Sequence, residues 1–153
     1  MKLNKIDEGL FIRGRFFKLD PRDKFETLRR EGITTVVNLI RPEDWDLYQQ
    51  SAVGYIHTPV VDGRLPEAMA AYLLKLAGYL AKEIRISQHS VLIFCNAGRT
   101  RSGLLAALVL RELHGISGRT ALNWVRERRP LAVSNDHFER FLNGLEAPRL
   151  GIL

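Results

Sequence analysis

The stretch SVLIFCNAGRTRSGLLAALVL, from Ser90 to Leu110, constrains this chain more than any other. An apolar run ends at Cys95, a short polar loop with two arginines and two hydroxyls follows, and the sequence then turns apolar again at helical length. A run as continuously apolar as VLIF reads as a strand buried on both faces, the central strand of a parallel sheet. Gly98 allows the loop a tight bend and a close backbone approach, and Gly103 is read the same way just inside the helix. The helix spans about Ser102 to His114, with Gly115 as terminator. Strand, tight loop and helix in that order aim several backbone N–H groups, and the positive end of a helix dipole, at one point. That point is suited to an anion.

The rest of the chain alternates in the same way. GLFIRG (Gly9 to Gly14) reads as an early short strand. In DPRDKFETLRREG, Asp20 is placed to cap, Pro21 takes the first helical position and Gly32 marks the exit. ITTVVNLI (Ile33 to Ile40) and YIHTPVV (Tyr55 to Val61) are β-branched runs that read as strands. Pro66 opens a long helix, roughly to Arg85, with Met69, Leu73, Leu76, Leu80 and Ile84 on one face. Two further helices are expected, from Ser117 to Arg128, where Pro130 stops it, and from about Asn135 to Leu145. This pattern predicts a three-layer α/β fold, a mostly parallel sheet of about four or five strands flanked by helices, with the site at the carboxyl end of the central strand.

Composition narrows the class. At 153 residues the chain suits a single domain, with its core from about residue 6 to 145. No secretory signal opens it and its longest apolar run, LLAALVL, is too short to span a bilayer. A single cysteine excludes an internal disulfide and fits a reducing cytoplasm. The net charge of +6, with 17 arginines among 23 basic residues, suits acidic partners or substrates, although a solvated basic surface would read the same way. No oligomerisation motif is present, so a monomer is expected.

At the end of a strand and the start of a helix, Cys95 should have a lowered pKa and exist largely as thiolate, the nucleophilic form. Arg101, six positions on, is within reach to curl back and offer parallel N–H donors to a phosphate. The backbone amides of Asn96, Ala97, Gly98, Arg99 and Thr100 complete a cradle for oxygens on which charge builds up. Ser102, or Thr100, is placed to donate a hydrogen bond to the sulfur and ease its departure. The chemistry of these parts is attack of the thiolate on phosphorus, with no metal or other cofactor required.

Cysteine, five residues, arginine and serine, in CNAGRTRS, resembles the signature loop of the cysteine-dependent protein tyrosine phosphatases, most closely the dual-specificity branch. GITTVVNL is similar to that family's strand before the variable loop, IHTPVVD to the strand that ends in its general acid, and VRERRPLAVSNDHF to its tail. The likeness runs from about Ile6 to Leu145 in the family's order. It implies that Asp62, 33 residues before Cys95, is the general acid and then the base for the hydrolytic water. Read from the residues alone, Asp62 is equally a turn aspartate before Gly63. Asn135 matches an asparagine that supports the loop in the family, and it also suits a helix N-cap.

Phe94 departs from the family, which usually has histidine before the cysteine. Phenylalanine cannot hydrogen-bond the loop, so a higher thiol pKa and a slower enzyme are expected, with attack geometry kept. The alternative is that Phe94 simply fills the core beneath the loop. His57, His89, His114 and His137 are read as structural or surface residues, and their spacing matches no zinc site. Trp45 and Trp124 are read as packing residues.

The expected substrate is a phosphorylated protein, at tyrosine, serine or threonine, because the chain is short and its N-terminal segment shows no long inserted loop that would build deep walls around the site. Arg99, a second basic side chain in the loop, also suits a substrate with more than one anionic group, such as a phosphoinositide or an RNA 5′ phosphate, or it is a solvated rim residue. Arg13, Arg41 and Arg64 are further rim candidates. No aromatics interleave the basic clusters, so no stable nucleic-acid complex is expected. A non-catalytic domain that binds phosphorylated partners, and a rhodanese-like sulfur carrier, are the other classes that the loop admits.

Overall fold

The computed structural model describes residues 2–14, 20–42 and 45–149, and the Trp45 side chain, with its expected packing role, lies outside what is described. The elements in chain order are β1 (Asn4–Asp7), β2 (Leu10–Arg13), α1 (Pro21–Arg30), β3 (Thr35–Asn38), α2 (Trp45–Gln50), β4 (Gly54–His57), α3 (Glu67–Arg85), β5 (Val91–Phe94), α4 (Arg101–His114), α5 (Gly118–Arg128) and α6 (Asp136–Asn143). One five-stranded sheet runs in the order β1-β2-β5-β3-β4. All neighbours are parallel except β1, which pairs antiparallel with β2. The expected α/β class and its mostly parallel sheet hold, and helices flank the sheet.

The apolar VLIF run is the centre of the sheet, with β2 on one side and β3 on the other. Each of its four residues is fully buried. The helix after the signature loop is buried nearly as completely. Ser102 to Leu110 are nine consecutive buried residues of α4, a helix apolar all round because α3 and α5 flank it and the sheet lies beneath it. Each buried leucine there contributes about 1.5–3 kcal/mol of hydrophobic stabilisation. This core fixes where the loop between β5 and α4 must stand.

Local signals set the element ends. Asp20 Oδ1 accepts the Arg22 N–H at 2.8 Å, which caps α1. Gly115 ends α4 in the left-handed conformation with φ 61°. The run Tyr55 to Val61 forms a strand only to His57, because Pro59 has no N–H to continue the ladder. The Thr58 and Val60 N–H groups still reach the Asn38 and Leu39 carbonyls, so the chain follows the sheet edge toward Asp62.

Two elements were not anticipated. β1 has one fully buried apolar residue, Ile6, and so little periodicity to show. α2 is six residues long, and its place is fixed by aromatic packing: Tyr48 meets Phe25 of α1 edge-on at 4.8 Å and stacks on Tyr55 of β4 at 4.3 Å. No described helix is long and apolar enough to cross a membrane.

Candidate active site

Parallel strands leave their carboxyl ends on one edge, and the described residues that directly follow β2, β3, β4 and β5 lie at that edge. Cys95 follows β5 directly and its N–H donates to the Arg13 carbonyl at the end of β2. The signature loop is then folded hard against Gly14, which forms an isolated bridge with Ala97. Gly98 has φ 65°, and a Cβ there would lie 2.3 Å from the Gly14 nitrogen and 2.4 Å from the Arg13 carbonyl carbon. Only glycine fits. At Gly103 the close neighbour is different from the one expected: a Cβ would meet Val133 Cγ2 at 3.1 Å, so this glycine admits the α5–α6 connection rather than a ligand.

The sulfur of Cys95 lies 3.3 Å from Ser102 Oγ, and both residues are buried. Burial pushes the thiol pKa up, but hydrogen bonds from the Ser102 hydroxyl and from the Ser102, Arg99 and Gly98 N–H groups outweigh it and hold the pKa below the ordinary value. This occurs with Phe94 completely buried in β5, where its carbonyl accepts the Leu39 N–H. The amides and the hydroxyl therefore lower the pKa without a histidine before the cysteine.

Arg101 begins α4 and its Nη1 donates to the Val60 carbonyl at 3.1 Å, two residues before Asp62. Asp62 stands on the loop after β4, exposed, where its Oδ1 accepts a 2.8 Å hydrogen bond from Asn135 Nδ2. The same nitrogen holds the Gly63 carbonyl at 3.0 Å, while Asn135 Oδ1 accepts the His137 and Phe138 N–H groups at the start of α6. Asn135 is thus both helix cap and fastening for the Asp62 loop. Asn96 and Ala97 are exposed on the signature loop. Among the described residues the Arg99 guanidinium has no hydrogen-bond or ion-pair partner, and Thr100 Oγ1 meets Ser134 Oγ at 3.1 Å.

An open cleft of about 720 Å³ runs beside the loop, lined in part by Asp62, Asn96, Arg101, Arg41 and His57. Its far wall depends on Asn38, which sequence reading missed. Fully buried, Asn38 donates from Nδ2 to the Arg41 carbonyl at 2.8 Å and Tyr55 Oη at 2.7 Å, and accepts the Ile40 N–H at 2.9 Å. A polar residue closing a β-branched strand was the available signal. Arg126 was also missed, and Arg129 was read only as half of the arginine-proline pair in the tail, without its contacts. Arg126 holds the Ala132 and Val133 carbonyls at 2.9 and 3.0 Å, and Arg129 holds those of Gly98 and Ala97, both at 3.2 Å.

The remaining candidates have partners or places of their own. Arg64 lines a separate small cleft with His137 and Arg140, and the Arg13 side chain reaches the Lys2 carbonyl. His57 bonds the Ile40 carbonyl, His89 pairs with Glu83, and His114 meets Asp7 at 2.7 Å while stacking on Trp124 at 4.6 Å. Trp124 Nε1 donates to the Ile6 carbonyl at 2.9 Å and the ring packs against the core. Among the described residues no three or more His, Cys, Asp or Glu side chains gather as a metal centre would require.

A five-stranded sheet whose central strand delivers a cysteine to a glycine-bent amide loop, with an arginine at the start of the helix that follows, is the arrangement of the cysteine-dependent tyrosine phosphatase superfamily. The family profile described as dual specificity phosphatase, catalytic domain, matches residues 16–147, and the chain belongs to that family. It is 28% identical over 127 residues to the human dual specificity protein phosphatase 14, covering 81% of this chain and 61% of that protein. The chain thus spans about three fifths of the length of that relative. Among solved structures, Tk-PTP in its active form superposes with a TM-score of 0.79 at 28% identity, covering 94% of this chain and 95% of that one. The PTP-2 phosphatase of Cydia pomonella gives 0.78 at 26%, covering 93% and 88%.

Proposed function

We propose that this chain hydrolyses phosphate monoesters through a phosphocysteine intermediate, with phosphorylated tyrosine, serine and threonine side chains of proteins as its substrates. The observation that carries the reading is the Cys95 sulfur, buried under Ser102 Oγ and three loop amides with its pKa held down. The thiolate attacks phosphorus in line, and its electron pair forms the S–P bond while the P–O bond to the substrate oxygen breaks. Arg101 and the amides from Asn96 to Thr100 hold the three remaining oxygens as charge spreads over them. Asp62 gives its proton to the leaving oxygen. Water then attacks the phosphocysteine, Asp62 takes the proton back, and the sulfur leaves as thiolate. The Ser102 hydroxyl, bonded to that sulfur, stabilises the departing charge.

The open cleft among the described residues favours short and long phosphorylated side chains alike. A mechanism that needs the single cysteine as a free thiol favours a reducing cytoplasm, where a lone cysteine keeps its nucleophilic form. The Arg99 guanidinium, without a partner among the described residues, favours a second reading at the same site, a substrate with an additional anionic group such as a phosphoinositide.

Turnover of an aryl phosphate across acid to neutral pH tests the mechanism, with Cys95→Ser and Asp62→Asn alongside. The expected result is activity in the native chain, none in Cys95→Ser, and loss of the descending basic limb in Asp62→Asn. A native chain that binds vanadate yet never turns over would replace the enzyme reading with that of a phosphate-binding domain. Phosphopeptides compared with phosphoinositides then choose between the substrates.

A further inference from the structure

The back of the signature loop is gripped by a single segment of chain. Arg129 Nε donates to the Gly98 carbonyl and Nη2 to the Ala97 carbonyl, each at 3.2 Å. The next carbonyl, that of Arg99, accepts the Val133 N–H at 3.2 Å. In a trans peptide the carbonyl and the following N–H point in opposite directions, and none of the described peptide bonds is cis. Pulling the Ala97 carbonyl backward therefore turns the Gly98 N–H forward, and pulling the Gly98 carbonyl turns the Arg99 N–H forward. Those are the two amides, besides that of Ser102, that bond the Cys95 sulfur.

We propose that Arg129 is a positioning residue of this site: its planar fork holds two successive carbonyls and so fixes the next two amides toward the sulfur and the phosphate it attacks. The inference rests on the reading of this loop as a phosphate cradle. Two adjacent carbonyls demand two donors at fixed separation in one plane, which a guanidinium supplies and an ammonium does not. The grip is itself braced. Leu131 and Val133 sit at φ 70° and 56°, a costly region for side chains of their kind, and Arg126 holds the carbonyls of Ala132 and Val133.

The other charged or titratable groups are Arg99 within the loop itself and, lining the cleft beside it, Arg101, Asp62, Arg41 and His57. Arg13 lends the Cys95 N–H its carbonyl from β2. A substitution at Arg129 leaves all of these in the chain, and Arg129→Lys keeps the positive charge as well, so a sulfur changed in the lysine variant reports the loss of the grip.

The test is the ultraviolet titration of the Cys95 thiolate in the full chain, blanked with Cys95→Ser, together with the affinity for inorganic phosphate. In Arg129→Ala and Arg129→Lys alike the titration midpoint should rise by about one pH unit. Phosphate binding should weaken on the order of tenfold, below the loss from removing a direct donor outright. Added guanidinium ion should partly restore Arg129→Ala. A folded Arg129→Ala with the native midpoint and affinity would overturn the proposal, as would an Arg129→Lys indistinguishable from the native chain, since charge alone would then suffice. If the alanine variant does not fold, the lysine variant decides. A native chain without turnover would defeat the proposed function, whereas the sulfur titration would still judge Arg129.

Discussion

Asn135 joins the start of α6 to the loop that carries Asp62, donating from Nδ2 to Asp62 Oδ1 at 2.8 Å while its own Oδ1 caps α6. The two jobs belong to opposite ends of one amide, which makes them separable. Serine caps helices about as well as asparagine but cannot reach Asp62 with a second group. Asn135→Ser should therefore keep nearly native thermal stability yet lose kcat with leaving groups that need protonation, and lose little with a leaving group that does not. Asn135→Ala should show the same rate defect plus about 1 kcal/mol of lost stability in denaturant titration. Equal rate loss for both kinds of leaving group would contradict the coupling to Asp62.

The thiol predicts a pH effect with a definite sign. Attack requires the thiolate, so kcat/KM rises with pH through the Cys95 midpoint, and anything that raises that midpoint moves the rising limb to higher pH. Ser102→Ala removes the hydroxyl bond to sulfur and should shift the limb upward. Phe94→His places a hydrogen-bonding ring beneath the loop and should shift it downward, at a stability cost on the order of 1–3 kcal/mol if the ring finds no partner. A Phe94→His profile identical to the native one would end the electrostatic reading of that position and leave Phe94 as core filling.

Gly98 gives the sharpest structural prediction. A methyl group there would overlap the Arg13–Gly14 backbone, and a positive φ adds strain for any L side chain. Gly98→Ala should abolish vanadate binding and cost more than about 1–3 kcal/mol of stability. Isothermal titration and thermal denaturation read the two effects. Retained vanadate affinity would mean that the loop can open away from β2.

The sequence disclosed most where physical signals are local. VLIF announced a buried central strand, Asp20 and Gly115 announced helix ends, and the spacing from Cys95 to Arg101 placed both on one turn of chain. The parts left unread are those fixed by distant neighbours. Nothing in WDLYQQ foretells a helix, because its place depends on Tyr48 meeting Phe25 and Tyr55. Arg129 was legible only as half of the tail's arginine-proline pair, and its grip was not, since its partners lie 31 and 32 residues away. Asn135 fared better because its cap is local while its bond to Asp62 is not.

The fastening of both loops to the α5–α6 connection has a consequence for the order of events in synthesis. Asp62 waits for a residue 73 positions downstream, and the tie of Trp124 to Ile6 spans 118. Contacts so far apart in sequence close late. A growing chain would carry its strand, its sulfur and its arginine well before the amides and the acid are secured. Reactivity would then mature only as the last helix docks.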